Sequence, residues 1–171
     1  GISLSSIFNA GSLDVEFANR VKPNKLKKES YILVAYHPIE GENEGEIDEA
    51  LKYFEKYSII RIGSNVDYGR KYGEEEYSPG DYINLMRYAK VCIGNSSSLL
   101  KEASILGVPV VLIGERQKNR LMPHNVLKVD CEAKKIKLGI EFQIQNSYEK
   151  DLIYYKKDTS KQICQKIKKL V

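Results

Sequence analysis

The chain is 171 residues long, with 42% hydrophobic and 29% charged residues. That suits one globular domain with a real core and leaves too little for two full domains. Its 27 basic and 23 acidic residues leave a net charge of +4, and the lysines are spread along the chain with clusters at 22–28, 156–157 and 166–169, so no nucleic-acid partner is expected. No apolar run approaches the ~18 residues of a membrane span, so no membrane partner is expected.

Residues 1–10 lack a basic stretch ahead of their weak apolar content and do not read as a signal peptide. A chain that opens on Gly1 instead of Met is expected to be processed, tagged or cut from something longer. The cysteines Cys92, Cys131 and Cys164 are odd in number and far apart, without metal-ligand spacing. They predict inert thiols in a reducing cytoplasm, with no metal and no cofactor.

Residues 13–19 read as a short helix, and the polar stretch 22–29, which contains Pro23, as a linker. This draws an N-terminal segment over 1–29 and a domain over 30–171. The apolar run 31–36 predicts a buried strand that His37-Pro38 ends, because proline denies the ladder a donor. A helix follows from Glu42 or Asn43, with Ile47, Leu51 and Phe54 at helical spacing. Residues 58–62 give the next strand and 63–80 a loop rich in glycine, tyrosine and acidic residues. Pro79 suits an early helix position, and Tyr82, Leu85, Met86 and Ala89 form an apolar face behind it. A strand at 91–93, a helix over 97–106 stopped by Gly107, and strands at 108–113 and 125–129 follow. Residues 136–142 read as a short helix, 146–155 are ambiguous, and 159–170 look helical.

The strand runs are almost continuously apolar. That predicts an α/β fold, a three-layer Rossmann-like parallel sheet with helices on both faces. Ligands of such sheets bind beyond the strand C-terminal ends. The candidate groups lie there: His37 after the first strand, Asn65 and Asp67 after the second, Ser96 and Ser97 after the third, Arg116 after the fourth.

In Gly94-Asn95-Ser96-Ser97-Ser98, a strand stops at a glycine and three hydroxyls open a helix. Helix N–H groups and hydroxyls there can receive a phosphate, and a single serine there would serve equally as an ordinary cap. The glycine spacing and lysine of a P-loop are absent, as is the Gly-x-Ser-x-Gly elbow of a serine hydrolase. Glu102 either accepts the two hydroxyls of a ribose or lies on the surface. Arg116 and Arg120, in the cationic loop 115–120, either neutralise a diphosphate or stand solvated. His37 either meets a phosphate and moves a proton or is structural. Asn65 and Asp67 either touch nucleotide or close an Asx turn. His124 receives no role. Together these groups suggest a nucleotide or nucleotide-sugar site.

Several motifs occur in a fixed order: Tyr36-His37-Pro38; Asn65-Val66-Asp67-Tyr68-Gly69; Gly94 to Ser98 with Glu102-Ala103; Gly107-Val108-Pro109; and Ile113-Gly114-Glu115-Arg116-Gln117-Lys118-Asn119-Arg120. In this the chain resembles the C-terminal half of the hydrolysing UDP-N-acetylglucosamine 2-epimerases, nearest the branch that makes N-acetylmannosamine for sialic acid synthesis. The resemblance implies the second half of a glycosyltransferase-B-like fold, with UDP or UDP-N-acetylglucosamine in a cleft facing an N-terminal Rossmann-like half. It implies that Ser96 and Ser97 contact the diphosphate, Glu102 holds the ribose, Arg116 and more weakly Arg120 contact the nucleotide, and His37 sits at the departing phosphate. The whole protein would then be a cytoplasmic homo-oligomeric enzyme, and this chain alone would be inactive. The chain departs from the family at Leu99-Leu100, at Ser104 and at Asn119, and Leu99 is expected to crowd the phosphate where the family has glycine. A donor-binding domain of a glycosyltransferase and a noncatalytic remnant are the competing expectations.

Overall fold

The computed structural model describes residues 3, 7–24, 31–62 and 77–169. The strands β1 (Tyr31–Ala35), β2 (Ser58–Arg61), β3 (Val91–Gly94), β4 (Val110–Ile113) and β5 (Val126–Val129) form one sheet in the order β2-β1-β3-β4-β5. Every pairing is parallel, and one row of the register runs Ala35, Gly94, Leu112, Lys128 across four strands. The order reverses direction at β1, which opens a crevice between the C-terminal ends of β1 and β3.

Alternate residues of the strands feed two separate cores. Tyr31, Leu33, Ala35, Cys92, Val110 and Leu112 pack under α3 (Pro79–Tyr88) and α4 (Glu102–Leu106), together with Leu99 and Leu100. Ile32, Val34, Val91, Ile93, Val111 and Ile113 face α2 (Gly45–Leu51), Phe54 and α5 (Ala133–Ile144). Both faces are covered, so the strands need apolar side chains at every position and no alternation shows in the sequence. Helix α1 (Leu13–Arg20) adds a third cluster, in which Val15 and Ala18 meet Ile83 of α3 and Ile105 of α4. Side chains of α3 tie down the chain beyond α1: Arg87 donates to the Val21 carbonyl at 2.9 Å and Tyr88 to the Asn24 carbonyl at 2.8 Å. Helix α6 (Thr159–Ile167) is capped from α1, where the Glu16 carboxylate accepts the Ser160 N–H at 3.0 Å.

Several elements differ from the sequence reading. The helix expected over 97–106 is broken into a 3-10 turn, Ser97–Leu99, and the five-residue α4. The serine hydroxyls bond within their own turn and compete with α-helical pairing. Leu99 and Leu100 are both fully buried in the core. Leu99 therefore points away from the crevice and does not crowd it. Strand β4 begins at Val110 and not at 108, because Pro109 has no N–H and contributes only its carbonyl, which accepts from Cys92 at 2.9 Å. Helix α5 is longer than expected, and its first N–H, at Ala133, donates to Glu46 of α2 at 2.7 Å. Cys92 is buried and its thiol is pushed up by desolvation, but Cys164 is exposed. Among the described residues no helix is long and apolar enough to cross a membrane.

Gly94 fixes how closely β3 approaches β1. Its φ is +136°, and a Cβ built there would stand 2.1 Å from the Ala35 carbonyl oxygen. Backbone conformation and overlap both oppose a side chain. Gly94→Ala is expected to cost about 3 kcal/mol or more of stability, read as a lowered midpoint in urea unfolding.

Candidate functional site

The chain after β3 wraps over the end of β1. The Ala35 carbonyl accepts from Asn95 N–H at 3.1 Å and from Ser96 N–H at 3.2 Å. Asn95 is completely buried, and its side chain grips the backbone of His37 from both sides. Its Oδ1 accepts the His37 N–H at 2.7 Å, and its Nδ2 donates to the His37 carbonyl at 2.8 Å. The Asn95 carbonyl in turn accepts from Gln117 Nε2 at 2.7 Å and from Arg116 Nη1 at 3.3 Å. One asparagine thus joins the loops that follow β1, β3 and β4.

Ser96 caps the 3-10 turn, accepting the Ser98 N–H at 3.4 Å. The Ser98 hydroxyl lies 2.9 Å from that of Ser96 and 2.6 Å from that of Tyr82 on α3. Burial raises the Tyr82 phenol well above its ordinary value, so it stays protonated. Tyr82 also forms part of the wall of a cavity of about 330 Å³, together with Leu13, Asp14, Phe17, Pro79, Ile83 and Glu102. The Glu102 carboxyl is raised mainly by burial; Lys101 pulls it down and Asp14 adds to the rise. Its Oε2 is buried without a hydrogen-bond partner among the described residues. A carboxylate oxygen so placed is costly unless something occupies it.

The loop after β4 turns twice in the left-handed region, at Gly114 (φ +70°) and Asn119 (φ +67°). Asparagine tolerates that conformation better than most residues, so Asn119 fills a position where the resemblance expects glycine. Glu42 lies against Gly114: a Cβ on that glycine would overlap the Glu42 carboxylate, which accepts the Tyr36 hydroxyl at 2.7 Å and the Glu115 N–H at 3.4 Å. Arg116 and Arg120 are both exposed.

The loops after β1, β3 and β4 thus place His37, Ser96, Ser97 and Arg116 at one end of the sheet, and Glu102 lines the cavity beside Tyr82. The Ser98 hydroxyl stands between those of Ser96 and Tyr82 and links the two. Arg120 stands farther along its loop, where its charge reaches Tyr154. Asn65 and Asp67 lie outside the described residues. Sequence reasoning missed Asn95, Gln117 and Glu42 as connectors and took Tyr82 as merely apolar. The only signal for Tyr82 was a hydroxyl on a face otherwise made of hydrocarbon. Among the described residues no group of three or more His, Cys, Asp or Glu side chains is placed to hold a metal ion.

The profile of the family described as UDP-N-acetylglucosamine 2-epimerase matches residues 1–168. The chain is 35% identical over 167 residues to a polysialic acid biosynthesis protein P7 of Escherichia coli, covering 79% of this chain and 42% of that protein. It is 31% identical over 130 residues to a UDP-N-acetylglucosamine 2-epimerase of Neisseria meningitidis, covering 65% of this chain and 34% of the relative. The structure of the Methanocaldococcus jannaschii UDP-GlcNAc 2-epimerase, in complex with UDP-GlcNAc and UDP, matches with a TM-score of 0.67 at 15% identity. That match takes in 99% of this chain and 56% of the other. The chain thus spans less than half the length of these two curated relatives.

The Asn95 bridge carries a direct expectation. Asn95→Ala removes both hydrogen bonds to the His37 backbone and leaves buried polar groups without partners. It is expected to cost about 2–4 kcal/mol in denaturant unfolding and to shift the His37 ring signals in NMR spectra. An unfolding midpoint within error of the parent would refute the bridge.

Proposed function

The chain belongs to the UDP-N-acetylglucosamine 2-epimerase family, and from that premise we propose that it is the C-terminal, UDP-binding half of a hydrolysing 2-epimerase. Residues 30–171 form the nucleotide-sugar-binding domain, and the preceding segment 1–29 adds Leu13, Asp14 and Phe17 of α1 to its cavity wall. The observation that carries the reading is the cavity lined by Glu102 and Tyr82: the glutamate has a buried carboxyl oxygen without a hydrogen-bond partner among the described residues, and the Tyr82 hydroxyl meets the serine turn. A nucleoside fits that cavity with its ribose hydroxyls on Glu102. Its diphosphate then lies over Ser96 and Ser97, within reach of Arg116, and Arg120 completes the binding face; Asn65 and Asp67, outside the described residues, are proposed as further nucleotide contacts.

The reaction proposed for the whole protein begins with loss of the C2 proton and departure of UDP from C1, which leaves an unsaturated sugar. Water then adds its oxygen at C1, and a proton returns to C2 from the other face, releasing N-acetylmannosamine. This half stabilises the charge on the departing diphosphate through hydroxyls, the Arg116 guanidinium and the His37 ring. A protonated His37 also supplies a proton to the leaving phosphate. The acidic groups that move the protons belong mainly to the facing N-terminal half, which the resemblance implies. The same reading extends to sialic acid synthesis in the cytoplasm, by the likeness to the polysialic acid relative.

Two outcomes test this reading. Calorimetric titration of the chain is expected to give saturable binding of UDP, tighter than of UMP or uridine, and the chain alone is expected not to turn over UDP-N-acetylglucosamine. Absence of UDP binding would overturn the reading.

The reading also carries a pH dependence. Burial raises the Glu102 carboxyl, so it still carries its proton at pH values where an ordinary glutamate has lost it. A ribose diol is accepted best by the ionised form, so binding draws the proton off. UDP affinity is expected to rise with pH through the raised Glu102 value. The rise is absent in Glu102→Gln and smaller for 2′-deoxy-UDP.

A further inference from the structure

We propose that Tyr82 is a positioning residue for the anion site, setting the direction in which the Ser96 hydroxyl gives its proton through Ser98. The proposal rests on the reading of the serine turn as a diphosphate site and deepens it.

Three hydroxyls stand in a row: Tyr82 lies 2.6 Å from Ser98, and Ser98 lies 2.9 Å from Ser96. Each holds one proton, so the row can run only one way at a time. If it runs from Ser96 inward, Ser98 donates to Tyr82 and the Ser96 proton is spent inside the protein. If it runs from Tyr82 outward, Ser98 donates to Ser96 and the Ser96 proton is free for a ligand.

An ionised phosphate oxygen accepts and cannot donate, so it selects the outward direction. Tyr82 then heads the row as a donor. Burial supports this by keeping the phenol protonated. The Ser98 N–H also donates to Ser96 Oγ, taking one of its two lone pairs and leaving the other for the Ser98 hydroxyl. Hydrogen bonds in series polarise one another, so the last donor in the row is stronger than an isolated serine.

This arrangement couples two parts of one ligand. The Tyr82 ring lines the cavity beside Glu102, and its hydroxyl heads the row that ends at the diphosphate position. A nucleoside against the ring holds the phenol in place for the phosphate.

The test is a set of titrations of the chain and its variants with UDP and with uridine. Tyr82→Phe keeps the ring and removes the head of the row. It is expected to weaken UDP about three- to ten-fold and to lower the UDP-to-uridine affinity ratio. A role confined to packing the ring would lower both affinities alike and leave that ratio where it was. Ser98→Ala cuts the row at its middle and is expected to weaken UDP similarly. Adding Tyr82→Phe to Ser98→Ala is expected to weaken UDP no further, because the route is already cut.

Additive losses in the double variant, or an unchanged ratio in Tyr82→Phe, would overturn the proposal while leaving UDP binding intact. If the unaltered chain binds no UDP, the functional reading fails, and this proposal fails with it.

Discussion

Where β1 and β3 end, their backbones come closer than any side chain at position 94 allows. That approach lets the Ala35 carbonyl take two successive N–H groups from the next loop. It also brings Asn95 under His37 in the geometry of a backbone pair. The loop after β4 is then drawn in through the Asn95 carbonyl. Three loops that would otherwise move independently share one buried amide. A buried amide satisfied on both its donor and acceptor sides is rigid, and it is expensive to disturb.

The fastenings around this centre are mostly neutral. Asparagine, glutamine and serine groups set the positions, and the charged groups stand outside that frame. Arg116 is exposed while reaching inward with one nitrogen. Glu42 performs the same kind of joining on the far side, between Tyr36 and the start of the cationic loop. A preorganised set of neutral donors with an exposed cation at its rim can receive an anion with little reorganisation. A densely cationic pocket would repel itself whenever it stood empty.

Much of the sheet was legible from the sequence because buried parallel strands have no polar face, and runs such as 31–35 and 110–113 are uniformly apolar. The reversal at β1 was not legible, since strand order depends on which helix covers which face. The helix over 97–106 was misread because its apolar spacing is helical, yet the serine hydroxyls at its start claim the backbone first. The ends of the candidate site were visible as residue types: hydroxyls after a glycine, a glutamate beyond them, arginines after a strand. Its connectors were not. Asn95 and Gln117 look like ordinary loop residues until three strand ends are brought together. Tyr82 reads as core because periodicity registers where a ring lies and is blind to its hydroxyl.

The cavity beside Glu102 takes Leu13, Asp14 and Phe17 from α1, and an ion pair between Asp14 and Lys101 holds that helix to the turn before α4. These partners are 87 residues apart in the chain. The cavity therefore exists only when a long loop of chain has closed, with the entropic cost such closure carries. Undocking α1 and opening the cavity are one event. Whatever occupies the cavity raises the free energy of that local unfolding by its own binding energy. The amide protons of α1, which need not touch a ligand, would then exchange with solvent at a rate that reports occupancy.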